Sequence, residues 1–580
     1  MKHTLKLIAL AAAAAACTGA PKDGEYTLRI LTTNDVHGSY FDEPYVGGPQ
    51  KKSLFAVKHY VDSVRSAAGA ENVLLIDAGD ILQGDNAAYY YNYVDTVGPH
   101  VYTRIADYLD YDAVCVGNHD IETGHAVYDR IDRELAAAGI PFMGANAIRN
   151  SDGKPYFTPY RIFRRAGLKV AVLGYTNPNM KAWLDEGVWS GITFESLIPM
   201  VQEDVDRIIA KEHPQVVIAA VHSGTGKGDG SSLESQGKDL FQSLKGVDFV
   251  ICSHDHRPLT LEGDGICLIN SGSHCRNVGY GEVTVTVKDR KVESKTLKAS
   301  LIPVDAAMAD QDMKEAFKAD YEAVKAFTLK EVGELKSDLV TAESYLGMCD
   351  YMNLIHTVCM KATGAQISFA APLTFNGRVN AGTLVFNDMF TIYPYENQLF
   401  TVSLSGKEIK DYLEYSYDMW TQTMVPGPDC HVLKISPVAD PRTGQKRWSF
   451  QERSYNFDSA AGLIYTVDVT KPCGERVSIA SMADGTPFDA DATYSVAMTS
   501  YRASGGGDLL FKGAGLDPDE SDSRVIAKYP EIRNLIYDYI VANGCIDPAL
   551  TGDESLIGHW SFVPEAAQKV LKADYALMFE

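Results

Sequence analysis

Five short motifs gather the side chains best suited to chemistry: Asp35 and His37 in TTNDVHG at 32–38, Asp80 in DAGD at 77–80, Asn118 and His119 in GNHD at 117–120, His222 in VHSG at 221–224, and His254 and His256 in SHDHR at 253–257. Carboxylates mixed with imidazoles and one amide suit a pair of divalent cations better than a structural zinc, which favours closed thiolate sets. One Asp-x-His alone is ordinary in a cap or a solvated loop. Five such motifs in one chain point to two-metal hydrolysis, because paired cations lower the pKa of a bound water and offset charge that develops during its attack.

Each motif follows a short, β-branched, nearly continuous apolar run: LRILTT at 28–33, VLLI at 73–76, AVCV at 113–116, VVIAAV at 216–221 and VDFVIC at 247–252. Such runs mark parallel strands buried on both faces. Helical patterns at 54–68 and 127–139 lie between them, so strand and helix alternate in an α/β layered domain. Loops at the carboxyl ends of parallel strands converge, which brings residues far apart in sequence to one place.

The order, types and strand-end placement of these motifs resemble the calcineurin-like metallophosphoesterases, specifically the 5'-nucleotidase and 2',3'-cyclic-nucleotide phosphodiesterase superfamily. The resemblance implies an α/β four-layer sandwich followed by an α+β nucleotide-recognition domain. Position by position it assigns Asp35, His37 and His256 to one metal and Asn118, His222 and His254 to the other, with the Asp80 carboxylate bridging them. The ions are two divalent cations, with manganese, zinc, cobalt, iron and magnesium all compatible with mixed O/N ligation. His119 is implied as the residue that faces the substrate and assists the leaving oxygen. Some relatives place an Asp three residues after that His. This chain has Glu122 there, and Asp120 is the competing carboxylate, which could equally cap a helix.

In the second half, NDMFTIYPYENQLF and YSVAMTSYRASGGGDLL resemble the nucleotide-binding domain of the same superfamily. Tyr395 and Tyr501 match its two base-stacking aromatics and Asn397 its amide contact. Arg378 of SFAAPLTFNGRV and Arg502 are the expected cationic contacts for phosphate or ribose. The segment around Arg378 looks more like the cyclic phosphodiesterase and 3'-nucleotidase branch than the arginine-bearing segment of many 5'-nucleotidases. The expected activity is 5'-nucleotidase, with 2',3'-cyclic-nucleotide phosphodiesterase/3'-nucleotidase, UDP-sugar or polyphosphate hydrolysis, and an inactive nucleotide-binding surface lipoprotein as alternatives.

The first residues, MKHTLKLIALAAAAAAC, combine lysines, an apolar stretch of signal length and small residues before Cys17. They are expected to be a lipoprotein-type signal over 1–17 with Cys17 lipidated, the alternative being a plain secretory signal. The protein is then extracytoplasmic and lipid-anchored. No later run approaches a membrane span.

Without Lys2 and Lys6 the chain carries 51 basic and 76 acidic residues, a net charge of −25. That excess argues against binding a nucleic-acid polymer. The expected partner is a nucleotide substrate, and no protein partner is inferable. SGTGKGDGSS at 223–232 lacks P-loop spacing and reads as a polar loop at the rim of the site. Nine cysteines remain beyond Cys17, and a disulfide within Cys252, Cys267 and Cys275 is plausible but unassigned. With 580 residues two domains are expected: 26–304, closed by an alternating pair of strands, and 336–580, joined by a linker helix or hinge over 305–335.

Overall fold

Every apolar run that precedes a motif forms a strand. The computed structural model describes residues 21–580 apart from 396, 426, 428–429 and 440–445, and omits the side chains of Asp519 and Asp522. Cys17 and the signal segment lie outside the described residues. Gly24–Thr33, Val73–Asp77, Ala113–Cys115 and Phe142–Met143 pair in parallel in that order. The hairpin Asn277–Lys288 and Lys291–Pro303 adds antiparallel to the other side of Gly24–Thr33, completing six strands. A second six-stranded sheet runs Leu259–Glu262, Cys267–Asn270, Phe249–Ile251, Val216–Val221, Leu168–Tyr175, Tyr160–Arg165, parallel through its middle four strands and antiparallel at both edges.

Leu28, Ile30 and Ile76 of the first sheet share a fully buried core with Val170, Ile218 and Ile251 of the second. The outer face of the first sheet carries Leu54–Ala68, Val101–Leu109 and His125–Ala138, and that of the second carries Leu197–Glu212 and Gly237–Ser243. The result is the four-layer sandwich. Burial on both faces is why the strands read as continuous apolar runs without alternation.

The second half is an α+β assembly built on a five-stranded mixed sheet ordered Ser459–Ala461, Ile367–Ala370, Thr493–Thr499, Gln398–Ser405, Val525–Glu531. One face packs beneath Gly406–Trp420, the other beneath Asp350–Thr363 and Ile532–Asn543. Between the halves the linker helix expected within 305–335 is two helices, Gln311–Ala316 and Lys318–Thr328. Phe317 leaves helical geometry at φ −109° and ψ 13° while its ring packs 6.1 Å from Phe55 and 5.7 Å from Tyr108.

These helices are fastened to the first half. Tyr321 stacks on Tyr45 at 5.7 Å, Asp320 accepts from Tyr91 Oη at 2.6 Å, and Lys314 donates to Asp42 at 2.9 Å. Phe327 packs on both sides, 5.3 Å from Tyr90 of the first half and 4.3 Å from Phe386 of the second. The short helix Asn86–Tyr89 carries much of the contact across the cleft: Asn86 donates to Asn387 at 2.9 Å, Tyr89 Oη donates to Asn534 at 3.1 Å, and the Arg533 guanidinium lies 5.5 Å from the Tyr89 ring centre. Lys528 adds an ion pair to Asp185.

The cysteine expectation is corrected. The nine described cysteines are all free thiols, and Cys252, Cys267 and Cys275 belong to three different hydrophobic cores. Proximity in sequence misled because the strands between them send each side chain to another face. Among the described residues no helix is long and apolar enough to cross a membrane.

Candidate metal centre and aromatic cleft

At the carboxyl ends of the parallel strands the backbone turns sharply. Asp35, His37, Asp80, His254 and His256 all have φ between 47° and 69°, in the left-handed region that non-glycine residues avoid. Each such residue costs on the order of 1–3 kcal/mol and persists only where surrounding structure enforces it. Here neighbouring loops do so: Asp35 N donates to Gly79 O at 2.9 Å, His37 N donates to Asp80 O at 3.0 Å, and Asn34 Nδ2 donates to Asp35 Oδ2 at 2.6 Å. Strain concentrated on five of seven candidate ligands is a mark of function rather than of folding.

The seven side chains converge as two sets. Asp35, His37 and His256 bring their ligand atoms within 4.8 Å of one another, and Asp80, His222 and His254 do the same. Asn118 completes the second set, its Oδ1 lying 3.0 Å from His222 Nε2 and 2.9 Å from His254 Nδ1. Asp80 Oδ2 is 3.1 Å from His222 Nε2 and 3.9 Å from His37 Nε2, so one carboxylate oxygen faces both sets. In the first set His37 Nε2 and His256 Nε2 point at each other across 2.9 Å. Two imidazole nitrogens aimed at one point are arranged for a shared cation.

The second ring nitrogens set the direction. His222 Nδ1 is held by Ala78 O at 2.8 Å and Ser253 Oγ at 3.0 Å, and His37 Nδ1 by Gln83 O at 3.2 Å, which leaves each Nε2 facing the centre. Burial keeps His37 well below the ordinary imidazole range and so presents a lone pair. Burial likewise pushes the Asp35 carboxyl well above the carboxylate range, an imbalance that divalent charge relieves. The donor set fits a pair of divalent cations.

Two glycines permit this closeness. A Cβ on Gly117 would stand 2.1 Å from Asp80 Oδ1, and one on Gly79 would stand 2.8 Å from His222 Nδ1. Asp120 explains why the turns hold: its buried carboxylate accepts from the N–H groups of Asp80, Ile81, Leu82 and Gly117 at 2.7–3.0 Å. That is a helix-capping and loop-tying role. Gly117→Ala is expected to displace Asp80 and abolish metal-dependent turnover while the protein stays folded. Metal content and activity of the purified variant check this, and wild-type values for both would show that the loops yield at no cost.

His119 sits beside the first set, its ring 5.5 Å from that of His37, and its Nδ1 lies 2.6 Å from Glu122 Oε2. Glu122 thus partners the imidazole, and Asp120 does not. Across the cleft, Tyr395 and Tyr501 are partly buried, and burial raises each phenol to about 12. Both feel Tyr455; Glu122 of the metal-bearing half acts on Tyr395, and Glu234 acts on Tyr455 and Tyr501. Glu122 holds His119 and Glu234 lies 3.9 Å from His254, so these two carboxylates bring the tyrosines within electrostatic reach of the metal-set side of the cleft. Asn397, partly buried, directly precedes the strand Gln398–Ser405.

The two expected arginines are placed otherwise. Arg502 is buried and its donors are consumed within the protein: Asp458 at Nε and at one terminal nitrogen, Asn456 Oδ1, Gly506 O and Tyr455 O. With five donors in all, none is left for phosphate. It fixes Tyr455 and the loop on which Tyr501 lies. Arg378 is exposed on Arg378–Val379 and pairs with Asp338 and Asn380.

Sequence reasoning missed three cleft residues. Tyr455 and Arg453 stand among the groups acting on Tyr395, and Trp183 stacks on His254 at 5.1 Å and 24°. A third aromatic after RS-Y-N offered no motif. The Gly-rich segment is tied at its base, with Gly224 N donating to Glu234 O at 3.0 Å and Thr225 N donating to Asp255 at 2.8 Å, and it delivers Glu234 to the rim.

Comparison with known proteins finds relatives of both halves. The calcineurin-like phosphoesterase family matches residues 28–258, and the 5'-nucleotidase C-terminal domain family matches residues 328–513. A 2',3'-cyclic-nucleotide 2'-phosphodiesterase/3'-nucleotidase of Salmonella typhimurium is 26% identical over 85% of this chain and 84% of its own length. The trifunctional nucleotide phosphoesterase protein YfkN of Bacillus subtilis is 24% identical over 93% of this chain, which spans 39% of that protein's length. Among solved structures, a putative 5'-nucleotidase from Staphylococcus aureus shares the fold with a TM-score of 0.75, 20% identity and coverage of 92% of this chain and 99% of its own.

Proposed function

Because this chain joins a calcineurin-like phosphoesterase domain to a 5'-nucleotidase C-terminal domain, and so belongs to the 5'-nucleotidase and 2',3'-cyclic-nucleotide phosphodiesterase superfamily, we propose that it hydrolyses 5'-nucleotides to nucleoside and phosphate in the cleft between its halves. What supports this reading is that Glu122, 2.6 Å from His119, and Glu234, 3.9 Å from His254, also act on Tyr395 and Tyr501 respectively, so that the two candidate ligand sets and the tyrosines face a common cleft. Two divalent cations bound there would supply Lewis acidity toward phosphoryl oxygens and a nucleophilic water at neutral pH. The protein's own groups do the rest. Tyr395 and Tyr501 orient the base, and His119, steadied by Glu122 at 2.6 Å, is set to give a proton to the leaving oxygen.

Stacking of a base on one aromatic ring contributes about 1–3 kcal/mol, so Tyr501→Ala is expected to raise KM about 5- to 150-fold with kcat changed much less. Steady-state kinetics check this, and an unchanged KM would remove Tyr501 from the substrate.

A second reading, 2',3'-cyclic-nucleotide and 3'-nucleotide hydrolysis, is favoured by the Salmonella relative, which is named for both activities. The two readings share the metal sets and differ in how ribose lies. AMP, 3'-AMP and 2',3'-cyclic AMP offered to the metal-loaded protein separate them. Nucleoside release from AMP at the highest kcat/KM supports the first, preference for the other two supports the second, and no release from any of them contradicts both.

Export with lipidation at Cys17 is proposed from the signal-like amino end. Cys17→Ala would then move the protein from the membrane to the soluble fraction, and an unchanged distribution would refute the anchor.

A further inference from the structure

Beside the first ligand set the metal-bearing half has a separate concavity. A cavity of about 290 Å³ lies among His37, Lys51, Lys52, Asp85, His274 and Arg276. Its walls are the turn after His37 and the loop 271–276, and both are laced to the ligand loops. Ser271 N donates to Asn34 Oδ1 at 2.9 Å, and His274 N donates to Asp35 O at 2.8 Å. The turn is tight enough that a Cβ on Gly38, at φ 69°, would stand 2.6 Å from Asp85 Cβ.

Three cationic side chains and one carboxylate line this cavity, in a chain whose net charge is −23. The carboxylate is already satisfied: Asp85 accepts from Tyr45 Oη at 2.8 Å, Lys51 Nζ at 2.9 Å and Ala87 N at 3.0 Å. The Arg276 guanidinium is exposed and makes no hydrogen bond or ion pair among the described residues. Its carbonyl receives Lys52 Nζ at 3.5 Å, which brings the ammonium to the same loop. Excess positive charge gathered in a concavity of an acidic protein selects an anion, and a guanidinium beside an ammonium matches a tetrahedral oxyanion.

We propose that this cavity is a subsite for a phosphate-class dianion, filled either by the second phosphoryl group of a nucleotide substrate or by inorganic phosphate. The location supports it: the His274 ring lies 5.3 Å from that of His37, so a group in the cavity and a phosphoryl group on the first ligand set are neighbours. The first alternative rests on the nucleotide-hydrolase reading; binding of inorganic phosphate does not.

The test uses the metal-loaded full chain, with Arg276→Ala and the double variant Lys52→Ala/Arg276→Ala beside wild type. KM is measured for AMP and ADP, inhibition by inorganic phosphate on AMP hydrolysis, and phosphate binding by calorimetry. Loss of a charge-assisted contact is expected to cost about tenfold or more. A rise in KM for ADP with KM and kcat for AMP unchanged assigns the cavity to a second phosphoryl group, and a weaker phosphate Ki with both KM values unchanged assigns it to free phosphate. Unaltered ADP KM, phosphate Ki and phosphate binding in the double variant overturn the proposal. Should wild type hydrolyse no nucleotide, the functional reading falls, while the phosphate calorimetry still decides the subsite.

Discussion

Asp80→Asn is expected to lower kcat for nucleotide hydrolysis on the order of 10³-fold, because charge stabilisation by the cation pair is worth several kcal/mol and each decade of rate is about 1.4 kcal/mol. The substitution keeps shape and removes charge. Asp80 Oδ2 is the atom that faces both His222, at 3.1 Å, and His37, at 3.9 Å, so no other described side chain addresses both sets in this way. Its Oδ1 accepts from His119 N at 2.9 Å, which an amide oxygen can still do, and the helix that begins at Asn118 should survive. Assays at saturating divalent cation with a circular dichroism control make the comparison. A kcat within tenfold of wild type would mean that the bridging carboxylate is not needed for turnover.

His119→Gln is expected to reduce kcat about 10²- to 10⁴-fold on nucleotides, the range of a positioned general acid. The identity of the leaving group separates the possible roles. A nucleoside leaves as a poor alkoxide and needs a proton, whereas para-nitrophenolate leaves without one. The loss should therefore shrink markedly on para-nitrophenyl phosphate. Equal losses on both substrates would assign His119 to charge at phosphorus instead. Glu122→Gln should give a smaller loss with the same dependence on leaving group, since Glu122 acts only through the imidazole, 2.6 Å away.

The catalytic half was legible because its physics is local and repeated. Parallel strands buried on both faces announce themselves as unbroken apolar runs, and ligands placed at strand ends must meet. The left-handed backbone at Asp35, His37, Asp80, His254 and His256 left no trace in residue type, since glycine is absent from those positions. Glycine at 117 was instead set by the Asp80 side chain of another loop, and glycine at 79 both by its own φ of 96° and by His222 opposite.

The second half was read less well for a related reason. Arg502 follows an aromatic in a Gly-rich turn and looked available, yet Asp458, 44 residues earlier in sequence, takes it over at 2.9 Å. Tyr455 and Arg453 stand in the cleft because a 3₁₀ turn, Ser454–Asn456, interrupts the chain there, and a turn of that length has no sequence period to detect. Trp183 meets His254 through a loop whose Asp185 is paired with Lys528 of the other half.

The proposed chemistry requires that the two ligand sets hold two catalytic cations. The direct measurement counts divalent ions per chain in wild type and Asp80→Asn by elemental analysis, alongside phosphate release from AMP, 3'-AMP and 2',3'-cyclic AMP before and after chelation. Two ions per wild-type chain are expected, with release that chelation stops and added cation restores, and with loss of both an ion and most activity in the variant. Full turnover by chelated protein, or an active variant with both ions in place, would contradict that requirement.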